Sequence, residues 1–343
     1  MKNTIYRLIE PKKIVAFEEE LDEKKAEGVI VKPTYMSICH ADQRYYQGQR
    51  DPEVLKKKLP MALIHESIGE VVYDPQGEFA PGTRVVMVPN TPFEKDPVIG
   101  GNYLRTSKFR ASGYDGFMQT YVEMRRDLLL PLPEGIAPEL LAFLEICTVD
   151  FHIVSRFDKI ADERRDVLGV WGEGNMGYIT ALFLKYRYPQ AKILVFGVVK
   201  EKLDEIHFAD GVYQVSDIPE DVYVDHAFEC VGGRASGIAV NQIINDVIRP
   251  EGTIALSGVS EDPVPINTRM VLEKGLRLFG SSRSTEKDFA ETLQFYVDHP
   301  EVPKALERVV GKTMTIDSID DIHAAFEEDI NNPSAKTVLK WNL

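Results

Sequence analysis

Between the apolar run Val167-Leu168-Gly169-Val170-Trp171 and a helical stretch from Met176 to Tyr186 lies Gly172-Glu173-Gly174-Asn175-Met176-Gly177. No other feature limits the fold so tightly. In a G-x-G-x-x-G turn, the first glycine permits the tight bend and the second lets the backbone approach a pyrophosphate. The third lets helix and strand pack closely. The main-chain N–H groups of Asn175 and Met176 would open the helix, where the dipole favours phosphate. Taken alone the pattern describes any glycine-rich turn. Here a strand precedes it, a helix follows, and a second apolar run, Ile193-Leu194-Val195-Phe196, comes after the helix, as a dinucleotide-binding unit requires. A helix over Glu201–His207 and strands at Ala227–Glu229, Thr253–Leu256 and Leu276–Phe279 continue the alternation. That rhythm predicts parallel βαβ units in a doubly wound α/β sheet.

The end of the second strand discriminates between dinucleotides. An NAD site places Asp or Glu there to accept from the ribose hydroxyls. This strand ends Val195-Phe196-Gly197-Val198-Val199-Lys200, with no acid before Glu201. Gly197 removes both that acceptor and the charge that would repel a 2′-phosphate, and Lys200 can supply a cation. The expected cofactor is therefore NADP(H). Lys200 also has a plainer reading, as a solvated charge at a helix start.

The chain before this unit is β-rich, with short apolar runs at Val29–Pro33, Ile68–Tyr73 and Gly82–Val88 set between turn residues. A helix is expected from Pro138 to Phe157. After Glu286 come two amphipathic helices and a last strand, Thr337–Trp341, expected to pack back on the first domain. The predicted organisation is one domain from residues 1–149 with 287–343, and a dinucleotide domain at 150–286. The 343 residues carry a net charge of −14, which argues against sequence-independent binding to nucleic acid. The N-terminus has no apolar h-region and no run approaches a membrane span. Cys39, Cys147 and Cys230 form no disulfide framework. The expectation is a soluble, cytoplasmic protein.

Three scattered places carry metal-ligand chemistry: Ser37-Ile38-Cys39-His40-Ala41-Asp42, Ile64-His65-Glu66-Ser67, and Glu145 in Leu144-Glu145-Ile146-Cys147. Singly, each has an ordinary reading as a small buried residue, a core histidine or a surface charge. Together they resemble the zinc-dependent medium-chain dehydrogenase/reductase family, in its polyol dehydrogenase branch. The likeness extends through Glu229-Cys230-Val231-Gly232, Arg249-Pro250-Glu251-Gly252-Thr253, Gly258-Val259-Ser260 and His152. It implies a Rossmann domain beside a β-rich GroES-like catalytic domain. It also implies one catalytic zinc held by Cys39, His65 and Glu145, with Asp42 orienting the histidine. With Cys39 and Glu145 anionic such a site is formally neutral. Glu66 would then be an exchangeable ligand or a water-linked neighbour, since a permanent fourth anion would weaken the pull on a substrate oxygen.

The chain departs from this branch in three ways. Ala41 replaces the hydroxyl residue that relays a proton, leaving His40, a tyrosine such as Tyr45, a substrate hydroxyl or water. The stretch Thr91–Ser112 has no cysteine, so a structural zinc is not expected. Ile146 replaces the usual proline after Glu145. Within the branch the chain is most similar to the ribulose-5-phosphate reductases (ribitol-5-phosphate 2-dehydrogenases) that feed CDP-ribitol and ribitol-containing wall polymers. That resemblance implies a sugar-phosphate substrate, a homodimer through Pro263–Val271, and association with a ribitol-5-phosphate cytidylyltransferase. A phosphate needs cations. The candidates are Arg44 and the basic stretch holding Arg105, Lys108 and Arg110, each of which can equally be a solvated loop charge. Other readings are a dehydrogenase of an unphosphorylated polyol and a non-catalytic NADPH-binding protein.

Overall fold

A computed structural model describes all 343 residues. The chain divides into two compact units, Met1–Thr148 with Ser284–Leu343, and Val149–Arg283. The first division falls within the helix Leu144–Ile160.

The Val149–Arg283 unit is built on one six-stranded sheet. In chain order its strands are Val167–Trp171, Lys192–Gly197, Gly211–Gln214, His226–Glu229, Thr253–Leu256 and Arg277–Gly280. Numbered in that sequence they lie in the order 3-2-1-4-5-6, with every pair parallel. This is the doubly wound order, and its switch point falls beside the first strand. Val167–Trp171 is buried at every position because neighbours flank it on both edges and helices cover its faces, which explains its unbroken apolar run. Trp171, Phe196, Val224, Ala227, Val240 and Ile254 belong to one core cluster.

The other unit is mostly antiparallel. Val29–Ser37 lies central to its larger sheet, pairing with Glu66–Tyr73, Val122–Met124 and the C-terminal strand Lys336–Trp341. The last pairing sets Val338 opposite Ser37. An N-terminal hairpin, Lys2–Glu10 with Lys13–Glu20, forms a second sheet with Met61–Ala62. Sequence pattern did not single out this hairpin, whose first strand mixes charged and apolar residues and buries Asn3 together with Tyr6 and Leu8. The helix expected over Pro138–Phe157 is two, Pro138–Leu141 and Leu144–Ile160. Ile146 lies inside the second, which continues through it.

Candidate functional site

The turn after Val29–Ser37 builds the first part of the site. Cys39 caps a short helix, α1 (His40–Tyr46), and Asp42 at its third position reaches back to the Cys39 N–H. Asp42 is 1% exposed. Its Oδ1 also accepts from the main-chain N–H of Ile64, at 3.0 Å, and its Oδ2 lies 3.4 Å from Nδ1 of His65. One carboxylate thus holds the cysteine's backbone, the residue before the histidine, and the imidazole. Ile64 has φ +68, a conformation costly for a β-branched side chain by about 1–3 kcal/mol. It persists because Asp42 takes its N–H and Phe117 donates to its carbonyl. The result is a fixed aim for His65, whose ring packs against Phe109 at 5.2 Å between centroids.

The ligand atoms of Cys39, His65 and Glu66 all lie within 4.8 Å of one another. Glu145, in the first turn of its helix, places a carboxylate oxygen 3.9 Å from Nε2 of His65. His65, Glu66 and Glu145 are buried beside half-buried Cys39, and the electrostatics show how acidic the cluster is. Burial opposes protonation of His65, but Asp42 and Cys39 outweigh that and hold its pKa well above the ordinary range. Burial raises the Glu145 carboxyl, with Glu66 adding to it and His65 opposing. Both shifts describe a site short of positive charge. Glu66 has one oxygen 2.7 Å from the ammonium of Lys336 and a second, buried oxygen with no partner. A cysteine sulfur, an imidazole and two carboxylates, one of them with an orphaned oxygen, form a donor set that suits Zn²⁺.

Lys336 was not expected. It stands 270 positions from Glu66, both are almost wholly buried, and no local pattern announces it. Its charge offsets that of Glu66, so the argument that Glu66 would leave the metal site with an excess negative charge no longer applies as stated. His40 is exposed at the first position of α1.

The glycine turn has the geometry its spacing implies. Gly172 has φ +118. A Cβ on Gly177 would stand 1.8 Å from the Gly172 carbonyl oxygen, whereas one on Gly174 would meet nothing within 4 Å. The helix Asn175–Arg187 starts here with Gly174 as its cap. The strand end requires a correction. An acid is present, supplied by Glu173 from the glycine turn itself. Its Oε1 accepts from the N–H groups of Val198 and Val199 at 3.2 and 3.0 Å. A Cβ on Gly197 would meet its other oxygen at 2.5 Å. Substituting Asp at 197 would set two carboxylates against each other and so could not report cleanly on cofactor choice. Lys200 is paired with Asp204 one helical turn on, at 2.7 Å, so its charge already has a partner.

Among the expected phosphate cations, Arg110 is a brace. It stands between the rings of Tyr114 and Phe117 and donates to the main-chain carbonyls of Asp115 and Glu123. Lys108 lies over the Phe93 ring, Arg105 is exposed, and Arg44 is half-buried on α1. Lys108 and Arg110 line one cavity, which Arg44 and Arg105 do not. No helix is long and apolar enough to cross a membrane. Burial pushes the Cys230 thiol up to about 12.

Comparison with known proteins agrees with this geometry. The family described as alcohol dehydrogenase GroES-like domain matches residues 25–134, and the zinc-binding dehydrogenase family matches residues 185–298. The chain is 53% identical over 345 aligned positions to the ribulose-5-phosphate reductase of Bacillus spizizenii, covering 100% of both proteins. It is 50% identical to ribulose-5-phosphate reductase 1 of Staphylococcus aureus, covering 99% of each. The crystal structure of S. aureus TarJ in complex with NADPH superposes with a TM-score of 0.90, at 45% identity and 100% coverage of both chains. With two family descriptions matched along most of its length and full-length relatives at half identity or more, the chain belongs to the zinc-type medium-chain dehydrogenase/reductase family, among the ribulose-5-phosphate reductases.

Proposed function

We propose that the protein reduces the C2 ketone of D-ribulose 5-phosphate to D-ribitol 5-phosphate with NADPH, using one zinc ion bound by Cys39, His65 and Glu145, with Glu66 in or beside the metal's shell. The observation that carries this reading is the donor set of half-buried Cys39 with buried His65 and Glu66, all within 4.8 Å of one another, in a chain so similar to named ribulose-5-phosphate reductases. When bound, zinc supplies an electrophile for the ketone oxygen and NADPH supplies hydride for the carbon. The chain's own residues orient and neutralise. Asp42 holds His65 by Nδ1 so that Nε2 is free to ligate. Lys336 screens Glu66, which keeps the site attractive to a developing negative charge. The proton for the new hydroxyl bypasses Ala41 by way of His40, a tyrosine such as Tyr45, a substrate hydroxyl or water. In the dinucleotide unit, Gly172, Gly174 and Gly177 shape the turn, and Asn175 and Met176 open the helix toward the pyrophosphate. The 2′-phosphate would lie by Gly197 and Lys200.

The product is a sugar-alcohol phosphate of the kind a cytidylyltransferase consumes, which supports a place in CDP-ribitol and teichoic acid synthesis. We also infer a homodimer through Pro263–Val271, near which Leu272 and Ile238 stand 82% and 74% exposed. A solution mass of twice 38.7 kDa checks that point. The activity is tested by NADPH oxidation with ribulose 5-phosphate against ribulose, fructose and xylulose 5-phosphate, with zinc counted in parallel. The expected result is preference for ribulose 5-phosphate and one zinc per chain. Equal rates with ribulose, or full activity after exhaustive chelation, would overturn it.

A further inference from the structure

Beside the cysteine–histidine cluster is a cation with no anion. Lys58 ends the helix α2 (Pro52–Lys58). Its half-buried ammonium donates to the hydroxyl of Tyr45 at 2.9 Å and to that of Ser112 at 3.1 Å. Two other lysines drawn in from the surface, Lys185 and Lys336, have a carboxylate at 2.8 and 2.7 Å. Lys58 meets only neutral oxygens, in a chain whose net charge is −14 and where acids are plentiful. An ammonium has three donors, and two are used here. The guanidinium of Arg50 adds a second positive charge, 4.9 Å from the centre of the same Tyr45 ring. Tyr45 itself is only 3% exposed, so the ring holding these two cations is fixed.

The cluster is tied to the metal-ligand residues at two points. Tyr45 follows Asp42 by three positions on α1 and so shares its face. It lies six residues from Cys39, about 9 Å along a helix axis. Ser112 donates its N–H to the carbonyl of Phe109, the residue whose ring packs on His65. In a ribulose 5-phosphate chain the phosphorus is five bonds from C2, an extended reach of about 6–7 Å at ordinary bond lengths. A ketone held at Cys39 and His65 would therefore carry its phosphate more than one helical turn away, toward the Tyr45 end of α1.

We infer that Lys58, Arg50 and the hydroxyls of Tyr45 and Ser112 form the subsite for the substrate's terminal phosphate monoester. Lys58 and Arg50 supply the charge. Tyr45 and Ser112, which accept from Lys58, keep their own O–H hydrogens to donate to phosphate oxygens. The subsite anchors the end of the substrate remote from the reacting carbon, so its binding energy serves to position C2. This inference rests on the phosphorylated-substrate reading above and adds the residues that recognise the phosphate.

The test measures kcat/KM for ribulose 5-phosphate and for ribulose in the unmodified protein, Lys58→Met and Lys58→Arg. Lys58→Met should lower the ratio of the two constants by about tenfold or more, the scale of one charge-assisted hydrogen bond. Lys58→Arg should restore most of it. Inorganic phosphate, monitored through its effect on thermal unfolding, should stabilise the unmodified protein more than Lys58→Met. Ser112→Ala serves if Lys58→Met does not fold, and should lower the same ratio by about threefold. If the unmodified enzyme favours ribulose 5-phosphate and the ratio is unchanged in these variants, the subsite is elsewhere and only this inference fails. If the unmodified enzyme does not distinguish the two sugars, the phosphorylated-substrate reading fails first.

Discussion

The dinucleotide turn and the cysteine–histidine cluster are assembled in opposite ways. The turn occupies six consecutive residues, Gly172–Gly177, and its geometry follows from what glycine permits at each position. The cluster draws Cys39, Asp42, His65, Glu66, Glu145 and Lys336 from four places along most of the chain, and its properties depend on their charges acting together. In the turn, one missing Cβ after another makes room. In the cluster, each buried charge is tolerated only because another stands beside it. Local sites of the first kind fail by crowding, whereas dispersed sites of the second kind fail by imbalance.

The largest expected effect concerns that imbalance. Lys336→Met would leave the Glu66 carboxylate, 0% exposed, without its counter-charge. Breaking one side of a buried pair costs about 3–5 kcal/mol, so thermal unfolding should shift down sharply. The double variant Lys336→Met with Glu66→Gln should recover most of the loss. A single variant as stable as the unmodified protein would show that the pair contributes nothing and that the contrast drawn here is mistaken.

Next comes a reciprocal pair of substitutions. Cys39→Ser should remove zinc and lower kcat/KM by about a hundredfold or more, exceeding the loss typical of a residue that merely orients a ligand, while NADPH binding persists. Gly177→Ala should do the converse. Its methyl would need space now held by the Gly172 carbonyl oxygen, an overpacking cost of about 1–3 kcal/mol. NADPH binding should weaken while zinc content holds. If either variant loses both zinc and NADPH together, the two sites are not separable as described.

A smaller effect sharpens the picture of the strand end. Glu173→Gln keeps an oxygen for the N–H groups of Val198 and Val199 but removes the charge beside Gly197. One unit charge near water is worth about 1 kcal/mol at close range. NADPH should therefore bind roughly fivefold more tightly relative to NADH, read by fluorescence titration of both. An unchanged ratio would place the 2′-phosphate away from this strand end.

The dinucleotide unit was legible because each of its signals is local. Val167–Trp171 announces a doubly covered strand by its unbroken apolar run, and the strand limits expected there and at Thr253–Leu256 coincide with the structure. Cys39, His65 and Glu66 could be singled out as candidates because few residue types have their chemistry, and family likeness joined them to Glu145. Other features were hidden for definite reasons. Glu173 reads as a variable position of the glycine motif, and only its folded direction brings it to the next strand's end. Arg110 and Lys58 are both basic residues near loops. Nothing in their neighbours tells that one is wedged between aromatic rings and the other faces two hydroxyls.

By itself the sequence determined most of the strand–helix alternation of the dinucleotide unit, the place of the glycine turn and the kinds of donor available. Those properties depend on backbone sterics and on side-chain chemistry, which act over a few residues. Tertiary structure alone decided that Lys336 neutralises Glu66, that Asp42 holds Cys39 and Ile64 at once, and that Lys58 lacks a carboxylate. Coulombic balance in a buried site is a sum over every charge that folding brings near, and chain separation has no part in that sum.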